Sequence, residues 1–358
     1  MFYVAIKGLK EKNLYGGIST LICGLFFIIF SYYNSLIGFF PFPYTGFMVW
    51  WIWILIGTNM SFAILIENII THMELEKYNT KSGNVISKKK TILRNFINYM
   101  RKDHNETEIS FQMEFIRKSF HFLGFLLLIA FFGFFFIPPL AQIINENVIL
   151  YAKENALTYN FFWGDSDDYP YEKGDFQATK DLVVFGLIGS LIFSITSEFY
   201  RILWGPEYSL LNFLTKPILR DKEKNAVGAH IYLITGLIFS YMLYLINLIH
   251  IYVFITGMLI ACFSDALAAL VGRRCGKIKV KCPGGDIKTV EGFIAGTGSA
   301  FIIGLFFMGP IYGLIAALIF FLLDYFPTIV ADNLLNPIVL SFALSLCIYF
   351  LGFPIRWS

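Results

Sequence analysis

Residues 251–277 read IYVFITGMLIACFSDALAALVGRRCGK, and this stretch determines the fold class. A membrane-spanning helix needs about 20 mostly apolar residues. Between 251 and 270 the one charged side chain is Asp265, and the apolar run ends at Arg273-Arg274. A carboxylate at membrane depth is costly and is therefore a functional candidate by default. The stretch predicts a membrane span that carries a functional acid about two helical turns before its basic end.

The composition of the whole chain agrees with a membrane protein. Of 358 residues, 57% are hydrophobic and 15% are charged, and the mean hydropathy is +0.64. Soluble domains average about 45–50% apolar and about 25% charged residues. These values exclude a disordered chain, a disulfide scaffold, a coiled coil and an ordinary soluble enzyme. The formal net charge of +3 gives no indication of a nucleic-acid partner.

Further apolar stretches satisfy the same length criterion. They are residues 18–38, 47–66, 119–139, 182–197, 229–249, 293–323 and 338–353. The stretch 293–323 contains Gly309-Pro310, so we expect two short spans that meet at this dipeptide. The predicted fold is all-α, a polytopic transmembrane helical bundle with about eight to nine spans in the lipid bilayer.

The basic residues of the loops predict the orientation, because Lys and Arg are retained on the cytosolic side. Loop 67–118 holds ten of them, loop 198–228 five and loop 271–290 six, whereas 140–181 holds three Lys against eight acids. Alternating spans place all the basic loops and the N-terminus in the cytosol. We therefore expect a multi-pass membrane protein with a cytosolic active site, in the endoplasmic reticulum of a eukaryote or the cell membrane of a prokaryote.

The chain divides into three predicted parts. Residues 1–66 form an N-terminal two-span hairpin, and residues 67–113 form a polar cytosolic connector. Within the connector, 91–101 is predicted to be an amphipathic helix on the membrane surface. Residues 114–358 form the catalytic transmembrane domain, with the acidic external insert 140–181.

The surroundings of Asp265 suit a metal-bridged polyphosphate. Ala268, Gly272 and Gly276 recur every four residues, which permits close contact with a second helix. An Asp can hold Mg²⁺, while Arg, Lys and backbone N–H groups bind phosphate oxygens. The alternative is a buried Asp paired with a charge on a neighbouring helix.

A second charged cluster precedes the predicted span 119–139. Arg117 and His121 are four residues apart and share a helix face, with Glu114 one turn earlier. Snorkelling of basic side chains at the membrane interface explains Lys118. It explains His121 less well, because continuous apolar sequence follows this residue.

Two further charged groups have simple structural interpretations. Glu198 and Arg201 are three apart and can pair on one helix. The run Arg220–Glu223 before Gly228 is typical of a solvated surface.

The segment Pro283–Gly292, PGGDIKTVEG, stands directly before an apolar helix. Lys288 and Thr289 thus lie at a helix N-terminus, where N–H groups and the helix dipole favour phosphate. Glu291 is either part of this site or a capping carboxylate.

Asp332-Asn333 precedes Pro337 and separates two apolar stretches, as does Asp324. Asp332-Asn333 is either a helix cap or an oxygen donor for a hard cation.

Taken together and in order, these clusters resemble the CTP-dependent lipid kinases, a family that includes dolichol kinase, phytol kinase and the yeast-type diacylglycerol kinase. The matching elements are Arg117-Lys118-x-x-His121, Glu198-x-x-Arg201, Arg220-x-x-Glu223 with Gly228, Ser264-Asp265-x-x-Ala268-Ala269-x-x-Gly272-Arg273-x-x-Gly276, Lys288-Thr289-x-Glu291-Gly292 and Asp332-Asn333-x-x-x-Pro337. The resemblance covers about residues 112–345, and the first hundred residues fall outside it.

The resemblance implies that a phosphoryl group passes from CTP to the hydroxyl of a membrane lipid alcohol, of the dolichol or polyprenol type or a diacylglycerol, with Mg²⁺ as cofactor. Asp265 and Asp332 are the expected Mg²⁺ ligands. The catalytic residues expected are Asp265, Asp332, Glu223 and His121. The expected nucleotide-binding residues are Lys288, Arg273, Lys277, Arg117, Gly272, Glu291 and Asn333.

Two alternatives stay open at this point. The form Lys288-Thr289-x-Glu291-Gly292 is also similar to CDP-diacylglycerol synthase, a cytidylyltransferase, although the His-Gly-Gly…Asp-Arg signature of that family is not present. A transporter is the other alternative, since polar residues inside membrane bundles also mark ion pathways. The absence of an inverted repeat and the location of the charges on one predicted face argue against transport.

Overall fold

The computed structural model describes residues 1–37, 44–79, 88–101, 111–119, 143, 146–147, 150–151, 153–163, 175–212, 226–283, 286–326 and 328–355. These residues form an all-α membrane bundle, as predicted. Its helices are α1 (Phe2–Lys10), α2 (Leu14–Ile37), α3 (Tyr44–Asn79), α4 (Lys88–Arg101), α5 (Phe111–Ser119), α6 (Ala156–Trp163), α7 (Asp175–Leu203), α8 (Ala229–Leu245), α9 (Ile251–Leu259), α10 (Asp265–Cys275), α11 (Val290–Met308), α12 (Pro310–Tyr325) and α13 (Asp332–Leu351). A short hairpin of β1 (Lys279–Lys281) and β2 (Ile287–Thr289) joins α10 to α11.

Six helical segments of the described chain are long and apolar enough to cross a membrane, which is fewer than the predicted eight to nine. The six segments are Leu14–Leu36, Met48–Met73, Val183–Leu203, Ile251–Cys275, Val290–Met308 and Asp332–Leu351. Two more apolar helices, α8 and α12, have 17 and 16 residues. At a rise of 1.5 Å per residue they reach about 25 Å, short of the ~30 Å hydrocarbon core. Most of the predicted span 119–139 lies outside the described residues.

The predicted break at Gly309-Pro310 is confirmed. Gly309 has φ 92° and ψ 176°, a backbone conformation that favours glycine, and Pro310 begins α12. The two helices then fold back on each other closely. A side chain on Gly313 would meet the backbone N of Leu305 at 2.7 Å.

The small residues of α10 pack against α11, as their spacing predicts. A Cβ on Gly292 would lie 2.8 Å from the carbonyl oxygen of Ala268, and one on Gly272 would lie 2.8 Å from Oγ1 of Thr289. The backbones of α10 and α11 therefore touch with almost no side chain between them. This contact holds the carboxylate of Asp265 close to the β-hairpin.

We expect Gly292→Ala to lower the free energy of unfolding by about 1–3 kcal/mol, because the carbonyl of Ala268 belongs to a helix backbone that cannot move aside locally. The thermal unfolding midpoint of the purified protein in detergent measures the effect. Gly298→Ala is the matched control on the same helix, since a Cβ there meets nothing within 4 Å. Equal midpoints for the two variants would refute the close contact.

The amphipathic helix predicted at 91–101 is present as α4, and its location on the membrane surface stays a prediction. Ile97 and Met100 on α4 are 0% and 1% exposed. Ile97 packs against Ile66 and Ile70 of α3. Part of the apolar face of α4 is thus covered by α3, through residues that lie inside the apolar segment Met48–Met73.

The N-terminal helices bind to the rest of the bundle by buried polar contacts. The Ser19 hydroxyl on α2 accepts a hydrogen bond from the backbone N–H of Ala331 at 2.9 Å, at the start of α13. The Thr20 and Tyr232 hydroxyls are 3.1 Å apart. The Lys7 ammonium donates to the carbonyl of Ile202 at 3.0 Å. Helix α2 therefore packs beside α8 and the start of α13.

Candidate active site

Asp265 is the first residue of α10 and follows a π-helical turn over Ile260–Ser264. A π-turn inserts an extra residue into a helix and is frequent at functional sites. The Asp265 carboxylate accepts a hydrogen bond from the ammonium of Lys118, whose residue is 3% exposed. The pairing with a neighbouring helix, one of the two interpretations of Asp265, is therefore present. This pairing is compatible with a functional role for Asp265, since 18% of the surface of its side chain stays exposed.

A second ion-pair group attaches α5 to α10. Glu114 is 0% exposed and pairs with Arg117 one turn along α5. Its other carboxylate oxygen lies 3.1 Å from a terminal nitrogen of Arg273. Arg117, expected at the nucleotide site, is thus buried against Glu114. Arg273 keeps 36% of its side-chain surface exposed and can still reach a ligand.

We expect Glu114→Ala to lower the free energy of unfolding by about 3–5 kcal/mol, because it leaves the buried Arg117 charge without its carboxylate. Chemical or thermal unfolding in detergent measures the loss. The double variant Glu114→Ala/Arg117→Met removes both charges and should recover much of the stability. A single variant as stable as the wild type would mean that this pair does not support the fold.

Lys288 lies at the centre of the acidic residues. Its ammonium is 2.6 Å from Oδ1 of Asp324 and also donates to the main-chain carbonyl of Asp324. Burial alone would lower the pKa of Lys288, but the charge and hydrogen bond of Asp324, with the charges of Asp332 and Asp265, outweigh it and hold the pKa above its ordinary value. Three carboxylates from three helices therefore lie within electrostatic range of one lysine.

Asp324 was not among the residues expected at the site. The sequence feature that could have pointed to Asp324 is its position at the end of an apolar stretch, on the same predicted side of the membrane as Asp265. Its contact with Lys288 spans 36 residues of sequence, so the spacing in the sequence gave no indication of it.

The donor set suits a hard cation, but the described residues do not form a complete metal site. Asp265, Asp324 and Asp332 provide the carboxylate oxygens that Mg²⁺ prefers. Within the part of the chain that the structure describes, no three His, Cys, Asp or Glu side chains are arranged to hold a metal ion. The ammonium groups of Lys118 and Lys288 lie among the carboxylates instead. Mg²⁺ at Asp265 and Asp332 therefore stays a prediction.

Thr289 and Glu291, two residues expected near the phosphates, both make structural hydrogen bonds at the β-hairpin and the start of α11. Thr289 caps α11, because its hydroxyl accepts a hydrogen bond from the N–H of Gly292 at 3.2 Å. Glu291 lies in the first turn of α11, and its carboxylate accepts a hydrogen bond from its own backbone N–H, which is consistent with the capping interpretation. The Glu291 carboxylate accepts from the N–H of Ile278 at 3.3 Å and lies within electrostatic range of Lys277, which is exposed. Glu291 thus stabilises the base of the hairpin.

The start of α13 packs directly on α8. A Cβ on Gly236 would lie 2.7 Å from the carbonyl oxygen of Leu334 and 3.2 Å from that of Asn333. Pro337 stands inside α13 and has no N–H to donate to the carbonyl of Asn333, four residues earlier. This close packing holds the first turn of α13, with Asp332, beside the other acids.

Glu198 and Arg201 form the buried pair that their spacing predicts, and they also connect two helices. The Arg201 guanidinium donates to Glu198 at 2.6 Å and to the carbonyl of Ala226 at 2.7 Å. Glu198 also accepts from the N–H of Gly228 at 3.2 Å. The pair therefore fixes the end of α7 to the start of α8.

Of the predicted site residues, Asp265, Lys288 and Asp332 come together, while Gly272 takes part in helix packing. His121 and Glu223 lie outside the described residues, as does Arg220.

Comparison with known proteins identifies an archaeal relative. The chain is 34% identical over 171 residues to an uncharacterized protein of Methanocaldococcus jannaschii, a match that covers 47% of this chain and 80% of the archaeal protein. The chain belongs to the family of that archaeal protein. No protein-family model matches the chain. No solved structure matches it. Because the archaeal relative is itself uncharacterized, membership of its family assigns no activity.

Proposed function

We propose that this membrane protein transfers the terminal phosphoryl group of CTP to the hydroxyl of a membrane lipid alcohol. The observation that carries the proposal is the position of Lys288, which contacts Asp324 and lies within electrostatic range of Asp265 and Asp332. A metal-binding acid cluster next to phosphate-binding cations is what phosphoryl transfer requires, since positioning and charge neutralisation supply most of its catalysis.

The cationic residues would bind the triphosphate. The Lys288 ammonium would exchange the Asp324 carboxylate for phosphate oxygens when nucleotide binds. Arg273, in the last turn of α10, and Lys277, two residues beyond its end, are both exposed and would contact the outer phosphates. Asp265 and Asp332 would hold Mg²⁺, which would offset the negative charge of the phosphates.

The reaction itself is a simple exchange of oxygen–phosphorus bonds. The lipid hydroxyl oxygen forms a bond to the terminal phosphorus of CTP, and the bond from that phosphorus to the bridging oxygen breaks. The products are the lipid phosphate and CDP. The proton of the hydroxyl passes to a carboxylate, for which Asp332 and Glu223 are the candidates.

Product analysis tests the proposal. Purified protein in lipid nanodiscs is incubated with Mg²⁺, labelled CTP or ATP, and a panel of polyprenols, a phytol-like alcohol and diacylglycerol. We expect CDP and a lipid phosphate to form in equal amounts. Release of pyrophosphate with a cytidylylated lipid would replace this proposal by the cytidylyltransferase. No nucleotide turnover with any acceptor would refute both enzymes.

A further inference from the structure

The ammonium of Lys118 lies inside the bundle and not in water. Lys118 stands in the last turn of α5, its side chain is 4% exposed, and the ammonium donates to the carboxylate of Asp265. A lysine that snorkels keeps its charged end in water, so snorkelling does not describe this residue. A buried charge is costly unless an opposite charge lies next to it. The buried position of Lys118 therefore depends on Asp265.

The Lys118 ammonium lies against the carboxylate to which a metal ion is expected to bind. Asp265 lies within electrostatic range of Lys288 as well, and both lysines lie within that range of Asp324. Lys288 is also within range of Asp332. Two ammonium groups thus compensate the carboxylates of this end of the bundle. A divalent cation that arrives alone would be repelled by both, because charges interact strongly over a few ångströms away from bulk water.

A metal ion that is bound to phosphates has a different effect on these charges. It can take the Asp265 carboxylate while the phosphate oxygens offer the displaced ammonium a new partner, and lysine is a common phosphate ligand. The displacement needs little movement of the backbone, because the lysine side chain is a flexible four-carbon stem. Helix α5 can stay in place, since Glu114 holds it to Arg273 of α10 at 3.1 Å. The ammonium can therefore pass from carboxylate to phosphate within the same fold.

We propose that Lys118 is a stand-in cation at Asp265, which yields the carboxylate to the metal and moves to the phosphates when metal and nucleotide bind together. The inference rests on the proposed function for the identity of the nucleotide. It makes Lys118 a phosphate-binding residue of the site. Metal alone and nucleotide alone should each bind weakly, and each should strengthen the binding of the other by the same factor.

Metal binding in the absence of turnover tests the exchange. Mn²⁺ replaces Mg²⁺, and EPR measures the metal bound to the full chain in nanodiscs of neutral phospholipid. We expect Lys118→Met to bind Mn²⁺ alone about tenfold more tightly than the wild type, because one repelling charge is gone. Lys118→Arg keeps the charge and should bind as weakly as the wild type. Lys279→Met is the matched control, since Lys279 is exposed at the same end of the bundle. Affinity in Lys118→Met equal to or below that of the wild type would overturn the proposal.

The double variant Asp265→Asn/Lys118→Met shows where the added metal binds. It should lose the Mn²⁺ affinity that Lys118→Met gains, because the Asp265 carboxylate is no longer there. Retention of that affinity would place the metal elsewhere and overturn the proposal.

The wild type alone provides a test that does not depend on the folding of any variant. Mn²⁺ together with CTP should raise the thermal unfolding midpoint, since a ligand that binds the folded state stabilises it. Mn²⁺ alone should leave the midpoint unchanged. An equal rise with Mn²⁺ alone would overturn the proposal.

Kinetics of Lys118→Met separate this inference from the proposed function. We expect kcat/KM for CTP to fall about 100-fold although the metal binds more tightly, because the phosphates lose an ammonium. A merely structural role would weaken metal binding and turnover together. Tighter Mn²⁺ binding with normal turnover would overturn the move of Lys118 to the phosphates. Tighter Mn²⁺ binding in Lys118→Met, with a wild type that binds CTP and Mn²⁺ together but never turns over, would refute the phosphotransferase and leave the exchange intact.

Discussion

Asp265→Asn should abolish CTP-dependent phosphorylation of lipid alcohols, with a loss of about 10³-fold or more in kcat. Asparagine preserves the shape of the side chain but loses the charge that would bind Mg²⁺. Initial rates of CDP release under saturating CTP and lipid measure the effect. Wild-type turnover in this variant would remove Asp265 from the mechanism.

A loss of folding must be separated from a loss of chemistry in this variant. Asp265→Asn leaves the buried ammonium of Lys118 without its counter-charge. The double variant Asp265→Asn/Lys118→Met removes both charges and should regain stability while it stays inactive. Asp286→Asn is the matched surface control, because Asp286 is exposed on the hairpin and should retain normal rates.

We expect Lys288→Ala to have the second large effect. It should lower kcat/KM for CTP by about 10²–10³-fold. The substitution removes the charge that lies among the three carboxylates and leaves their mutual repulsion uncompensated. Lys279→Ala and Lys281→Ala are the controls, since both lysines are exposed on β1 of the same hairpin. An equal loss in all three variants would indicate general electrostatic attraction of CTP rather than a role specific to Lys288.

The raised pKa of Lys288 predicts how the reaction rate should depend on pH. Since neighbouring carboxylates hold the pKa above its ordinary value of 10.5, the ammonium keeps its charge at neutral pH and loses it only above that value. Any change of rate near neutral pH must therefore come from another group. A neutral-pH transition that disappears in Lys288→Ala would contradict this assignment.

Local patterns in the sequence predicted a large part of the fold. The span 251–270, the break at Gly309-Pro310 and the Glu198–Arg201 pair each depend on residues close in the chain, and each is present. Within the described residues six segments meet the length criterion, fewer than the predicted eight to nine, because α8 and α12 are apolar but short and most of 119–139 is not described. The surface location of 91–101 stays a prediction, because amphipathicity indicates that a helix has an apolar face and not what covers it.

The site was predicted in part. Asp265, Lys288 and Asp332 were singled out as charges at the ends of apolar helices, and they lie together. Asp324 was missed, and Gly272 was assigned to the nucleotide although it packs against Thr289. A glycine at a phosphate and a glycine at a helix contact have the same appearance in a sequence, because both serve to bring a backbone close to its neighbour.

The amino-acid sequence alone determined that this is a helical membrane protein with scarce charges at the ends of its spans, because hydropathy and helical period are local properties of the chain. The tertiary structure decided which charges meet. Lys118 and Asp265 are 147 residues apart, and Lys288 and Asp324 are 36 apart. Pairs at such separations depend on how helices pack, here through the close α10–α11 contact at Gly292 and the turn at Gly309.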